Sequence, residues 1–120
     1  MKKRIVLVVD DENLIRWSLY EKLTEAGYDV VEAGDGKSAL ELARRDGIAM
    51  MLLDYRLPDM DGLKVLDELR SIHPDCPVIM MSAYGTDAVK VEALAKGVKE
   101  FIDKPFDYDA VVSNIQKILN

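Results

Sequence analysis

The sequence predicts an α/β domain built on a parallel sheet, and three features predict it. Short apolar runs alternate with amphipathic stretches five times along the 120 residues. Three of the runs are apolar at nearly every position, as in strands covered on both faces. The stretches between them carry apolar residues at helical spacing, and most end at a glycine or before a proline. Five strand–helix units in series imply a doubly wound sheet with right-handed crossovers.

The first strand is Ile5 to Val9, "IVLVV". Asn13 can cap the first helix, which carries Ile15, Leu19 and Leu23 on one face and ends near Gly27. Trp17 lies about 200° around that helix from Ile15 and is expected to point outwards. Tyr28 to Ala33 forms the second strand, and Ser38 to Arg45 the second helix, stopped by Gly47. The intervening "GDGKSA" imitates a phosphate loop, but that pattern needs glycine where Val31 stands, so it reads as a turn and a helix start. Ala49 to Leu53 is the third strand; Leu63, Leu66 and Leu69 mark the third helix, ending before Pro74, with Pro58 and Gly62 shaping the loop that leads to it. Val78 to Met81 is the fourth strand, followed by a helix from Ala88 to Lys96 that Gly97 closes. Glu100 to Ile102 is the fifth strand. Asp107 caps the last helix, striped by Val111, Val112, Ile115, Ile118 and Leu119. Met50, Met51, Met80 and Met81 are read as core filler.

Length and composition suit one domain, residues 1–120, around one core, with 49% hydrophobic and 32% charged residues. No apolar stretch approaches the roughly 20 residues that cross a bilayer. The basic start, "MKKR", leads into an apolar run shorter than a signal-peptide core, so a cytoplasmic location without membrane contact is expected. Cys76 is the only cysteine, which excludes an internal disulfide and a cysteine-based zinc site; it is expected to be inert, and His73 to have no role. Net charge is −6 and the basic residues are scattered, so the segment lacks the footprint of a nucleic-acid binder.

In such sheets, ligands sit at the carboxyl ends of the strands. The first strand ends in Asp10-Asp11 and the third in Asp54; Ser82 follows the fourth and Lys104 the fifth. Three converging acids raise one another's pKa or capture a cation. Oxygen-only ligands, few in number, favour magnesium over zinc or calcium. A carboxylate beside such an ion is a nucleophile towards phosphorus that needs no general base. Lys104 and the Ser82 hydroxyl can then hold the phosphoryl oxygens.

These motifs, "VVDDE", "LLDYRLPDMDG", "MSAYG" and "FIDKPF", occur in the order and spacing of a known family. The chain resembles, over essentially its whole length, the receiver domain of two-component response regulators. "LIRW" and "MSAYG" look similar to receivers of sigma-54-dependent transcriptional activators. The resemblance implies the flavodoxin-like strand order 2-1-3-4-5 and a cis Lys104-Pro105 peptide. It makes Asp54 the phosphoacceptor, charged by a sensor histidine kinase. Asp11, Asp54 and the Arg56 backbone carbonyl would hold Mg2+, or Mn2+ as a substitute, with Asp10 acting largely through water. Ser82, Lys104 and the Ala83 backbone would contact the phosphoryl group. Ser82 and Phe101 would form the switch, and Phe101, lacking a hydroxyl, would act through packing. The surface of the fourth helix, fifth strand and fifth helix would change in response, with homodimerisation expected there. Such a domain is a signalling phosphoacceptor, not a turnover enzyme, that catalyses its own phosphotransfer and loses the group slowly. The bulk of Arg56 and Tyr84, two residues beyond Asp54 and Ser82, points to a long-lived phosphorylated state. The chain stops just after the fifth helix, which fits a free-standing regulator or the amino-terminal domain of a longer one.

Three rivals fare worse. A phosphatase of the haloacid dehalogenase type wants a second acid where Arg56 stands. In a flavodoxin-like cofactor binder, "DDEN" would repel the flavin phosphate. A receiver-shaped module that is never phosphorylated has no use for intact acids, hydroxyl and lysine.

Overall fold

Alternation along the strands decides which helices each side chain meets. The structure is a computed structural model that describes residues 3–45 and 47–120, so Met1, Lys2 of the basic start and Asp46 lie outside it. The strands are β1 (Ile5–Val9), β2 (Asp29–Ala33), β3 (Ile48–Asp54), β4 (Val78–Ser82) and β5 (Glu100–Asp103). All pair in parallel in the order β2-β1-β3-β4-β5, the arrangement the resemblance implied. The helices are α1 (Asn13–Glu25), α2 (Gly36–Ala43), α3 (Gly62–Ile72), α4 (Asp87–Ala95) and α5 (Tyr108–Leu119).

Successive strand residues point to opposite faces. Val6, Val8, Met50, Leu52, Ile79 and Met81 pack with Leu19 and Leu23 of α1 and Val111 and Ile115 of α5. Leu7, Val9, Met51, Leu53, Val78 and Met80 pack with Leu40 of α2 and Val65, Leu66 and Leu69 of α3. The central strands therefore need apolar residues at every position. The four methionines are fully buried in this core, as read from the sequence.

Two helix starts differ from the sequence reading. Asn13 is the first helical residue of α1 and not its cap; Glu12 holds the cap position, and its N–H donates to Asp10 Oδ1 at 2.9 Å. The second helix begins at Gly36 instead of Ser38, because the Asp35 carboxylate accepts from the Ser38 N–H at 2.7 Å and sets the start earlier. Asp107 caps α5 as expected, accepting from the Asp109 and Ala110 N–H groups. Trp17 is exposed on α1. Buried Cys76, its thiol pushed up to about 11 by desolvation, fits the expected inertness.

Candidate functional site

The sheet register assembles the polar residues. Asp10 follows β1 directly, and its N–H donates to the Ala33 carbonyl at 3.1 Å. Asp54 closes β3, pairing with Met81, one residue before Ser82 closes β4. Ser82 pairs with Asp103, and the Lys104 N–H donates to the Ser82 carbonyl at 2.8 Å. Four consecutive strands of the sheet thus end in a carboxylate, a carboxylate, a hydroxyl and an ammonium.

Asp10, Asp11 and Asp54 each offer a carboxylate oxygen, and these lie within 4.8 Å of one another. Asp10 and Asp54 are buried and Asp11 is exposed. The Lys104 ammonium donates to Asp10 Oδ2 at 2.7 Å and stands 3.3 Å from Asp54 Oδ2 and 3.5 Å from Glu12 Oε1. Two carboxylates at 4.8 Å repel by roughly 3 kcal/mol at an effective dielectric of 20. One ammonium cannot neutralise all of them. Burial, together with the charge of Asp10, pushes the Asp54 carboxyl up to about 6 against the pull of Lys104 and of the Arg56 N–H. Burial alone would lower the Lys104 pKa, but the hydrogen bond to Asp10 and the charge of Asp54 outweigh it and raise it.

Beside these groups opens a cleft of about 120 Å³, room for a few water molecules. Asp11, Glu12, Asp54 and Lys104 line it on the charged side, with Arg56, Ser82, Ala83 and Tyr84 completing the wall. Ser82 Oγ accepts the Tyr84 N–H at 3.0 Å. The Arg56 guanidinium lies 5.5 Å from the centroid of the exposed Tyr84 ring, spanning the rim.

A family model described as "Response regulator receiver domain" matches residues 6–116. The chain belongs to the response regulator receiver domain family. It is 39% identical over 114 residues to the transcriptional regulatory protein SrrA of Staphylococcus aureus, an alignment covering 95% of this chain and 47% of that protein. The chain therefore spans about half the length of the curated relatives it matches. The receiver domain of NtrX from Brucella abortus is 35% identical, with a TM-score of 0.87 over 95% of this chain and 97% of that one. A CheY-like receiver domain protein from Methanospirillum hungatei JF-1 superposes with a TM-score of 0.94 at 27% identity, covering 98% and 94% of the two chains.

In this receiver the residues expected at the site come together, with one exception. Phe101 lies outside the cleft on β5, half-buried, where it fills the space a side chain at Gly85 would need: a Cβ there would stand 2.6 Å from the ring. The Lys90 ammonium sits 5.7 Å from the Phe101 centroid and bonds Asp103 at 3.0 Å. The Lys104-Pro105 peptide is cis, as the resemblance implied. The sequence did not reveal Glu12 as a partner of Lys104. Nor did it reveal Asp59, whose carboxylate accepts the Gly36 and Lys37 N–H groups at 2.8 and 2.9 Å. Those amides are the free donors at the start of α2, a match that only the fold creates. The three-acid cluster fits a metal ion: the donors are all oxygen, two are buried, and the local charge is under-compensated.

Proposed function

We propose that residues 1–120 act as one phosphoacceptor domain in which Asp54 takes a phosphoryl group from the phosphohistidine of a sensor kinase. The observation that carries this reading is the convergence of Asp10, Asp11 and Asp54 within 4.8 Å beside Lys104 in a cleft. An Asp54 carboxylate oxygen attacks phosphorus, an O–P bond forms, the N–P bond breaks, and its electron pair returns to the donor imidazole. Magnesium, or manganese in its place, would be held by Asp11, Asp54 and the Arg56 carbonyl with Asp10 behind them, and would offset the added phosphoryl charge. Lys104 stands 3.3 Å from the nucleophilic carboxylate and can turn from it to a phosphoryl oxygen. The Ser82 hydroxyl is a free donor, because its hydrogen bond to the Tyr84 N–H uses only its oxygen lone pair. The Ala83 N–H offers a further contact.

Recruiting Ser82 to the phosphoryl group would draw on the 82–86 segment, and Gly85 of that segment rests against Phe101. A ring displaced there alters the surface of α4, β5 and α5, where Val91 and Leu94 are 67% and 52% exposed. We take that surface as the site of phosphorylation-dependent dimerisation, and transcriptional control, the activity SrrA is named for, as the output. No helix among the described residues is long and apolar enough to cross a membrane, and the reading places the domain in the cytoplasm.

Incubation with acetyl phosphate and Mg2+ should add the mass of one phosphoryl group and double the mass seen by light scattering. Chelation and Asp54→Asn should each abolish the addition. Phosphoryl uptake that survives Asp54→Asn defeats the assignment, and a phosphorylated monomer defeats the dimer.

A further inference from the structure

Arg16 of α1 reaches back to the acid cluster in a way the function above does not use. Its Nη1 donates to the Asp10 carbonyl at 2.6 Å, its Nη2 donates to Asn13 Oδ1 at 2.6 Å, and its Nε lies 3.4 Å from Glu32 Oε1. The side chain is only 20% exposed. Gly34 makes the room: a Cβ there would stand 3.0 Å from Nη1 and 3.8 Å from Cζ. Gly34 does not have the positive φ of Gly27, Gly47 and Gly97. The space taken by the guanidinium, and not backbone conformation, accounts for the glycine.

The consequence lies at Asp10. Its N–H is tied to the Ala33 carbonyl and its own carbonyl to Arg16, so the peptide groups on both sides of its α-carbon are fixed. That sets the direction of the side chain, whose two oxygens then meet the Glu12 N–H and the Lys104 ammonium. The peptide that Arg16 holds also leads into Asp11, whose carboxylate is exposed. We propose that Arg16 is a positioning residue that sets the divalent-cation affinity of the Asp10–Asp11–Asp54 cluster by locking the Asp10–Asp11 peptide. The proposal rests on the cation-dependent reading of the site given above.

The sign of the effect separates positioning from charge. Arg16 is a cation near a cation site, so by Coulomb's law its removal should tighten metal binding. Removing a group that orients the ligands instead weakens binding, typically 10–100-fold for outer partners of metal ligands. Mn2+ titrations followed by electron paramagnetic resonance can compare wild type with Arg16→Gln, Arg16→Lys and Gly34→Ala. We expect about tenfold weaker binding in both Arg16 variants, because lysine keeps the charge but not the fork. Gly34→Ala should shift affinity the same way by less, and its change lies outside α1 should that helix tolerate the others poorly. Amide exchange at Glu12, measured without metal, should quicken in all three variants, since its acceptor Asp10 Oδ1 loses its fixed direction. Tighter or unchanged Mn2+ binding in Arg16→Gln, wild-type affinity in Arg16→Lys, or unaltered Glu12 exchange overturns the proposal. Failure of wild type itself to bind Mn2+ overturns the functional reading instead, and the Glu12 exchange still tests Arg16.

Discussion

The two sides of the sheet around the acid cluster are built differently. On one side β1 and β3 are buried along nearly their whole length, and they end in Asp10 and Asp54. On the other, β5 is only half-buried and α4 contributes one buried residue, Ala93. The charges that must hold still stand on the best-packed strands. Phe101 and Lys90, both half-buried and 5.7 Å apart, stand on the least-packed elements. Dense packing keeps repelling carboxylates in a fixed geometry, whereas an edge with few buried contacts opens at lower cost.

Truncation in the two halves should expose the difference most strongly. Leu52→Ala, under α1 and α5 in the rigid half, should cost about 3 kcal/mol, since a fully buried leucine leaves a cavity that cannot collapse. Leu94→Ala on α4 should stay within about 0.5 kcal/mol in the unphosphorylated monomer. Urea unfolding measures both. Equal costs would erase the contrast between the halves.

The rigid half carries its own strain, and the pH dependence sharpens it. The Asp54 carboxyl sits at about 6 in the folded protein against an ordinary 3.8. A raised carboxyl pKa means that the folded state holds a proton the unfolded chain has released. Its contribution to stability is therefore fully present below about pH 4 and is lost as pH rises through about 6. At pH 7 the ionised group destabilises the fold by on the order of 2 kcal/mol, discounted for solvent in the open cleft. Asp54→Asn should raise the melting temperature at pH 7 by several degrees and lose that advantage near pH 4. Mg2+ should narrow the gap at pH 7 by stabilising wild type. A pH-independent difference would mean that Asp54 is not the strained group.

How far these features were legible in the sequence follows the same division. Every strand was found to within one residue; for β1, β3 and β4 the signal was burial on both faces, which leaves an unbroken apolar run such as Met50 to Leu53. The site acids, Ser82 and Lys104 were legible because a parallel sheet delivers its strand ends to one edge. Contacts created by the fold itself were not. Asn13 looked like a cap until Arg16 claimed its side chain, and Ser38 looked like a helix start until the Asp35 carboxylate placed the start at Gly36. The sequence assigned no partner to Asp59 or Glu12, because the first amides of α2 and the Lys104 ammonium lie far from them along the chain.

A contact that spans both halves offers the subtlest test. Arg56 comes from the loop after β3, Tyr84 from the loop after β4, and their stacking at 5.5 Å bridges the rim of the cleft over Asp54. We predict that water reaching an aspartyl phosphate at Asp54 enters past this pair. An exposed cation–π contact is worth about 0.5–1 kcal/mol, so opening it should speed phosphoryl loss about threefold. Arg56→Ala and Tyr84→Ala should each produce that acceleration, read from the decay of phosphorylated protein after the donor is removed. The double variant separates a gate from two independent obstacles. If the stack itself excludes water, removing the second partner adds little once the first is gone; if bulk alone matters, the two effects multiply. Unchanged decay in both single variants would show that the bridge between the halves does not govern the lifetime of the phosphoryl group.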